Sequence, residues 1–154
     1  MNARRTSHHT VVVRRQYDLP AEQVFRAWED TAALEAWYTP GDASWTAEML
    51  EHDFRVGGVK RFRFGPPGET FLEDCRYEDI VPDTRLCYAM TIARGDVRIT
   101  TSMVTVEFLP RGGQTELLVT DQLVILDGGD LPGDRERGWG ETLDKLTPFL
   151  RAHH

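Results

Sequence analysis

Between Trp45 and Leu126 the chain is built almost entirely of short alternating apolar runs cut by turn signals. The marks are Gly57-Gly58, "GPPG" at 65–68, Pro82-Asp83, Arg94-Gly95-Asp96 and Gly112-Gly113, and they leave room for six strands, near residues 45–51, 59–65, 70–80, 85–93, 98–109 and 114–125. Strands this close in sequence can pair only antiparallel, because a parallel neighbour needs a crossover of a dozen or more residues. Phe62 and Phe64, then Leu86, Tyr88, Met90 and Ile92, then Val104, Val106 and Phe108 alternate with polar residues. Each set therefore marks one covered sheet face, and the chain must supply the cover.

The cover comes last. After "LDGGDLPGDRE" the residues Trp139, Leu143, Leu146 and Leu150 recur at spacings of four, three and four, which predicts an amphipathic helix over 134–152. About 17 helical residues at 1.5 Å each span roughly 25 Å, enough to cross several strands about 4.8 Å apart. At the other end, "HHTVVVRRQY" reads as a strand from His8 to Tyr17, and "PAEQVFRAW" as a short helix with Val24, Phe25 and Trp28 on one face. Asp30 is placed to cap a second short helix, "TAALEAWY", that ends before Pro40. The expected architecture is α+β: a curved antiparallel sheet of about seven strands gripping one long C-terminal helix, with two short helices after the first strand.

A chain of 154 residues that is 40% hydrophobic suits one domain, here 1–154, with flexible ends at 1–7 and 152–154. The net charge of −7 disfavours nucleic acid as a partner. No run approaches the roughly 20 apolar residues of a membrane helix, and "MNARRTSHHT" has no apolar signal core, so a cytoplasmic protein with no membrane partner is expected. A two-residue turn at Pro82-Asp83 would pair Cys75 with Met90 and Cys87 with Glu78, with the thiols on opposite faces and no disulfide between them.

No cofactor motif is present, and no metal site is expected, since His8-His9 alternate across a strand and His52 and His153-His154 stand apart. Ser7, Ser44 and Ser102 lie outside any nucleophile elbow, and the glycine clusters read as turns, so no catalytic set is assigned. Two carboxylates stand out. Asp121 shares the parity of Leu117, Val119 and Leu123, and Glu73 that of Phe71 and Tyr77, so either points inward as a polar anchor or is turned to water or to a partner such as an arginine. Gly138 and Gly140 flank Trp139 inside the helix, each costing about 1 kcal/mol of helix propensity. They make room either for a ligand or for close approach of a strand.

The order of elements, with "YDLPAEQVFRAWED", "DFRVGG" at 53–58, "YEDIVPDTRLCY" at 77–88 and "TDQLVILDGGD" running into the last helix, resembles the START-like or SRPBCC superfamily. In particular it resembles bacterial proteins similar to the C-terminal domain of the activator of the ninety-kilodalton heat-shock protein's ATPase. The resemblance implies a helix-grip fold with an apolar cavity between sheet and final helix. Its members use that fold for hydrophobic ligands, aromatic polyketide chemistry or chaperone contact, so fold alone does not set function. The first expectation is a hydrophobic small-molecule ligand held by Trp37, Phe54, Phe62, Phe64, Tyr77, Tyr88, Met90, Phe108, Gly138, Trp139 and Leu143, with Asp121 or Glu73 as polar anchor. The second is a chaperone-associated interaction module of the stress response, and the third a cyclase- or hydrolase-like enzyme using a cavity carboxylate. A second copy of the chain is a further candidate partner. Leu19 stands where relatives often carry a capping serine, which leaves the first helix without a side-chain cap.

Overall fold

The computed structural model describes residues 4–153, with elements β1 (Thr6–Tyr17), α1 (Ala21–Glu29), α2 (Thr31–Trp37), β2 (Thr46–His52), β3 (Val59–Gly65), β4 (Phe71–Val81), β5 (Arg85–Arg94), β6 (Val97–Arg111), β7 (Gln114–Leu126) and α3 (Pro132–His153). All seven strands form one antiparallel sheet in the order β1-β7-β6-β5-β4-β3-β2. The meander thus runs in sequence order across the sheet, and β1 returns to pair with β7. Thr6 and Ser7 already pair in β1, and α3 continues through Ala152 and His153. Arg4 and Arg5 both donate to the Asp127 carboxylate, and the rest of the expected flexible ends, residues 1–3 and 154, lies outside the described residues.

Alternation determines which face is covered. Phe62, Leu86, Tyr88, Val104, Val106, Phe108, Leu117 and Val119 are all buried on the side that meets the helices, as are Trp139, Leu143, Leu146 and Leu150 from α3. This is the α+β helix-grip architecture of START-like proteins. The two short helices close the space between the sheet and α3, with Trp28 packed edge-on to Trp37 at 4.8 Å and stacked on Trp139 at 6.5 Å. Asp30 caps α2 by accepting from Ala33 N–H at 2.8 Å. For α1 the N-cap is Pro20 and no side chain caps it, leaving the Pro20 carbonyl to take Gln23 N–H.

One register expectation is corrected. Val81 pairs with Arg85, so the β4–β5 connection is the three-residue loop Pro82-Asp83-Thr84, with Asp83 in the left-handed region at φ 62°. A bulge between Tyr77 and Asp79 then takes up the extra residue. Cys75 consequently faces Met90 as a two-residue turn would have it, whereas Cys87 faces Asp79 rather than Glu78. Both cysteines are free thiols; burial and the neighbouring Glu73 carboxylate push the Cys75 thiol well above its ordinary pKa, which removes its nucleophilic character.

At the end of β2, His52 is wedged between Thr31 Oγ1, on the first residue of α2, at 2.9 Å and the Tyr77 hydroxyl at 2.8 Å. Burial, then the Lys60 charge, push its pKa from 6.5 down to about 4, against the opposing pull of Asp30 and Asp53. The folded state therefore holds a neutral imidazole where the unfolded chain takes a proton. The stability this contributes is complete above about pH 6.5 and is lost as pH falls from there toward about 4. Urea melts at pH 7 and pH 4.5 should show that loss in the wild type and a smaller one in His52→Gln; equal losses would assign the pH dependence to other groups.

Candidate functional site

A cleft of about 450 Å³ opens between the sheet and the first turns of α3. Its floor comes from three adjacent strands toward the β2 edge of the sheet: Phe64 of β3, Phe71 and Glu73 of β4, and Met90 and Ile92 of β5. The loop after α2 contributes Tyr38, Pro40 and Trp45 to one wall, and α3 contributes Arg135, Gly138, Trp139 and Thr142 to the other. Phe64 stacks on Phe71 at 5.4 Å and Trp45 lies nearly parallel to both. Volume, aromatic lining and a few placed polar groups are the usual features of a small-molecule site.

Two buried ion pairs sit at the edges of this apolar surface. On the strand side, Glu73 Oε2 meets Lys60 Nζ at 3.2 Å and accepts from the Tyr38 hydroxyl at 3.0 Å and the Cys75 thiol at 3.2 Å. Lys60 is 1% exposed; its ammonium lies over the rings of Tyr38 and Tyr88, at 4.0 and 4.4 Å, which supply the second face of its solvation. Burial, and then the adjacent Glu73 charge, raise the Tyr38 hydroxyl well above the ordinary tyrosine pKa and keep it a donor. On the helix side, Arg135 Nη1 donates to Asp121 Oδ2 at 2.8 Å, and Nη2 to Thr100 Oγ1 at 2.6 Å. Trp139 Nε1 donates to the same Asp121 oxygen at 3.0 Å. Asp121 is fully buried and its Oδ1 has no partner among the described residues. The pair therefore fixes the rotamers of two lining side chains, Arg135 and Trp139, from beneath.

Gly138 faces the cleft. A Cβ built there would meet only Pro40 Cβ, at 3.7 Å, and one built at Gly140 would meet Arg15 Nη2 at 3.4 Å. Neither glycine is pressed against a strand, so close packing of helix on sheet does not account for them.

A family described as "Activator of Hsp90 ATPase homolog 1-like protein" matches residues 18–151. The chain belongs to that family. A search of curated proteins finds no match. Among solved structures, this AHSA1-like chain is similar to an uncharacterized protein from Rhizobium leguminosarum, at 34% identity over 98% of this chain and 99% of that one, with a TM-score of 0.89. It is similar also to Mll3558 from Rhizobium loti, at 34% identity over 94% and 99% with a TM-score of 0.84. DynU16, a protein of the dynemicin biosynthetic locus, shares the fold at 17% identity and a TM-score of 0.69, this chain spanning 47% of its length.

Within this AHSA1-like fold, the residues singled out in the sequence separate by depth. Phe64, Glu73, Met90, Gly138 and Trp139 line the cleft. Trp37, Phe62, Tyr77, Tyr88, Phe108 and Leu143 are buried on the same side of the sheet but fill the core behind it, and Phe54 packs half-buried against Phe25 and Tyr77. Parity assigns a face but not a depth, and the cleft occupies one end of that face. Asp121 reaches the cleft only through Arg135 and Trp139. The sequence reading passed over Tyr38, Trp45, Lys60 and Arg135. Two of these carried a signal: Lys60 has the parity of Phe62 and Phe64, and Arg135 stands four residues before Trp139 on the apolar stripe. Among the described residues no three His, Cys, Asp or Glu converge as metal ligands, and no helix is long and apolar enough to cross a membrane.

Proposed function

We propose that this chain binds a hydrophobic small molecule in the cleft between β3–β5 and α3. The observation that carries the reading is the cleft itself: about 450 Å³ lined in part by Tyr38, Trp45, Phe64, Phe71 and Trp139, and faced by a helix glycine where a Cβ would meet nothing closer than Pro40 Cβ at 3.7 Å. A helix that needed only packing would gain about 1 kcal/mol from alanine at Gly138. Glu73 acts as polar anchor, and Asp121 as the group that holds Arg135 and Trp139 in place. The family's description names chaperone activation, and a contact of that kind is the second reading. It has less support from the surface, because the exposed large apolar residues are scattered: Val12 on β1, Val56 and Leu131 in two different loops, and Val97 and Met103 six residues apart on β6.

Titration with N-phenyl-1-naphthylamine, an uncharged fluorescent probe, tests the reading in wild type and Gly138→Leu. The wild type should bind saturably. The variant should lose binding while keeping or gaining stability in urea, since the leucine fills cleft volume and improves helix propensity. A wild type that never binds, with a variant destabilised by about 1 to 3 kcal/mol through overpacking, would overturn it.

A further inference from the structure

The charges around the cleft select among hydrophobic ligands; this inference rests on the cleft being a ligand site. Its cations are already matched. Arg94 pairs with Glu69 at 3.0 Å, Arg135 with Asp121 at 2.8 Å and Arg137 with Asp134, while on the strand side Lys60 balances Glu73. Three further carboxylates line the cleft, Asp42, Asp130 and Glu141, and none of them has an ion-pair partner among the described residues. Asp42 accepts from Ser44 N–H at 2.8 Å and from its hydroxyl, and Glu141 from Gly41 N–H at 3.1 Å, contacts that do not neutralise a carboxylate. Asp130 accepts from Leu131 N–H at 2.9 Å, but burial and the adjoining Asp134 carboxyl raise it above the usual carboxylate range, so the charge of the rim rests on Asp42 and Glu141. Lys145 lies near enough to feel Glu141 and Asp42, but its ammonium is directed at the carbonyls of Thr39 and Pro40, at 2.8 and 3.3 Å. Even with Lys145 set against them, Asp42 and Glu141 leave the rim negative.

We infer that the ligand is a hydrophobic cation, an amine or quaternary ammonium carried on an apolar body, and that anionic amphiphiles are rejected. The apolar body replaces water over Phe64, Phe71, Met90 and Ile92, and the cationic group takes the rim, between Asp42 on the loop wall and Glu141 on the helix wall. The aromatic wall favours the same sign of charge, since ring faces attract cations. The chain already uses that attraction beside the cleft, with Lys60 over Tyr38 and the Arg94 guanidinium 5.4 Å from the Phe71 ring. A carboxylate placed at the rim would instead give up water to face the like charges of Asp42 and Glu141. The molecule's net charge of −7 acts in the same direction, but beyond a Debye length of about 8 Å it is screened, so the local acids decide.

The test displaces bound N-phenyl-1-naphthylamine with three compounds of one chain length: dodecylamine, dodecanol and dodecanoate. Dodecylamine should displace the probe at a concentration about tenfold below dodecanoate, with dodecanol between them, and the gap should shrink in 1 M salt. In the double variant Asp42→Asn/Glu141→Gln the gap should narrow about threefold while dodecanol is unaffected. Both positions are exposed, so folding is preserved. A gap that survives the double variant would trace to the charge of the whole surface and overturn the assignment to the rim. Dodecanoate displacing as well as dodecylamine, with dodecanol active, would overturn the cation preference and leave the ligand site standing. A protein that binds neither the probe nor any of the three compounds would remove both.

Discussion

Asp121→Ala should lower the free energy of unfolding by about 3 to 5 kcal/mol, because it leaves the Arg135 guanidinium buried without its counter-charge. Arg135 is 7% exposed and Asp121 fully buried, so water cannot take over the lost contact without moving the start of α3. The same truncation leaves Trp139 Nε1–H without its acceptor. Replacing both partners, as Asp121→Leu/Arg135→Met, should recover much of the loss, since an apolar pair of similar volume needs no compensation. Urea denaturation of the three proteins measures this. A single variant within about 1 kcal/mol of wild type would mean that solvent reaches the guanidinium and that the pair does not anchor the cleft wall.

On the opposite edge, Glu73→Ala should cost about 3 to 5 kcal/mol for the same reason, stranding Lys60 among the rings of Tyr38 and Tyr88. Here the chemistry of the acceptor separates charge from geometry. In Glu73→Gln the amide oxygen still accepts from Tyr38 and Lys60, so the loss should be clearly smaller than for alanine. If glutamine and alanine destabilise equally, the charge matters and the hydrogen bonds do not. If neither destabilises, the ion pair contributes nothing to the folded state.

The strand and helix boundaries were legible because each depends on a local rule: two-residue periodicity between glycine turns, a capping aspartate at Asp30, and an apolar stripe from Trp139 to Leu150. The Pro82–Thr84 loop and the bulge after Tyr77 were not, since adding a residue in one place and absorbing it in another leaves the pattern at Cys75 and Met90 unchanged. In the site, parity put Glu73 and Asp121 on the covered face, where both are buried. Their partners Lys60 and Arg135 are residue types that are rarely buried, so type points them to water while position, the periodicity of their neighbours, points them inward. The cleft's location depends on where the loop carrying Tyr38, Pro40 and Trp45 folds back against α3. The Gly41 N–H bond to Glu141 that joins them spans 100 residues of sequence, and no local pattern encodes it.

Nitrogen–proton correlation spectra recorded during titration with dodecylamine test the central claim most directly, because they report where on the molecule binding occurs. The account predicts saturable shifts confined to the cleft, at the amides of Met90, Ile92 and Gly138 and at the indole N–H of Trp139, with the outer-face amides of Val12 and Met103 unmoved. Shifts centred on Val12 and Met103, or on the outer sheet face as a whole, with the Trp139 indole signal unchanged, would contradict it.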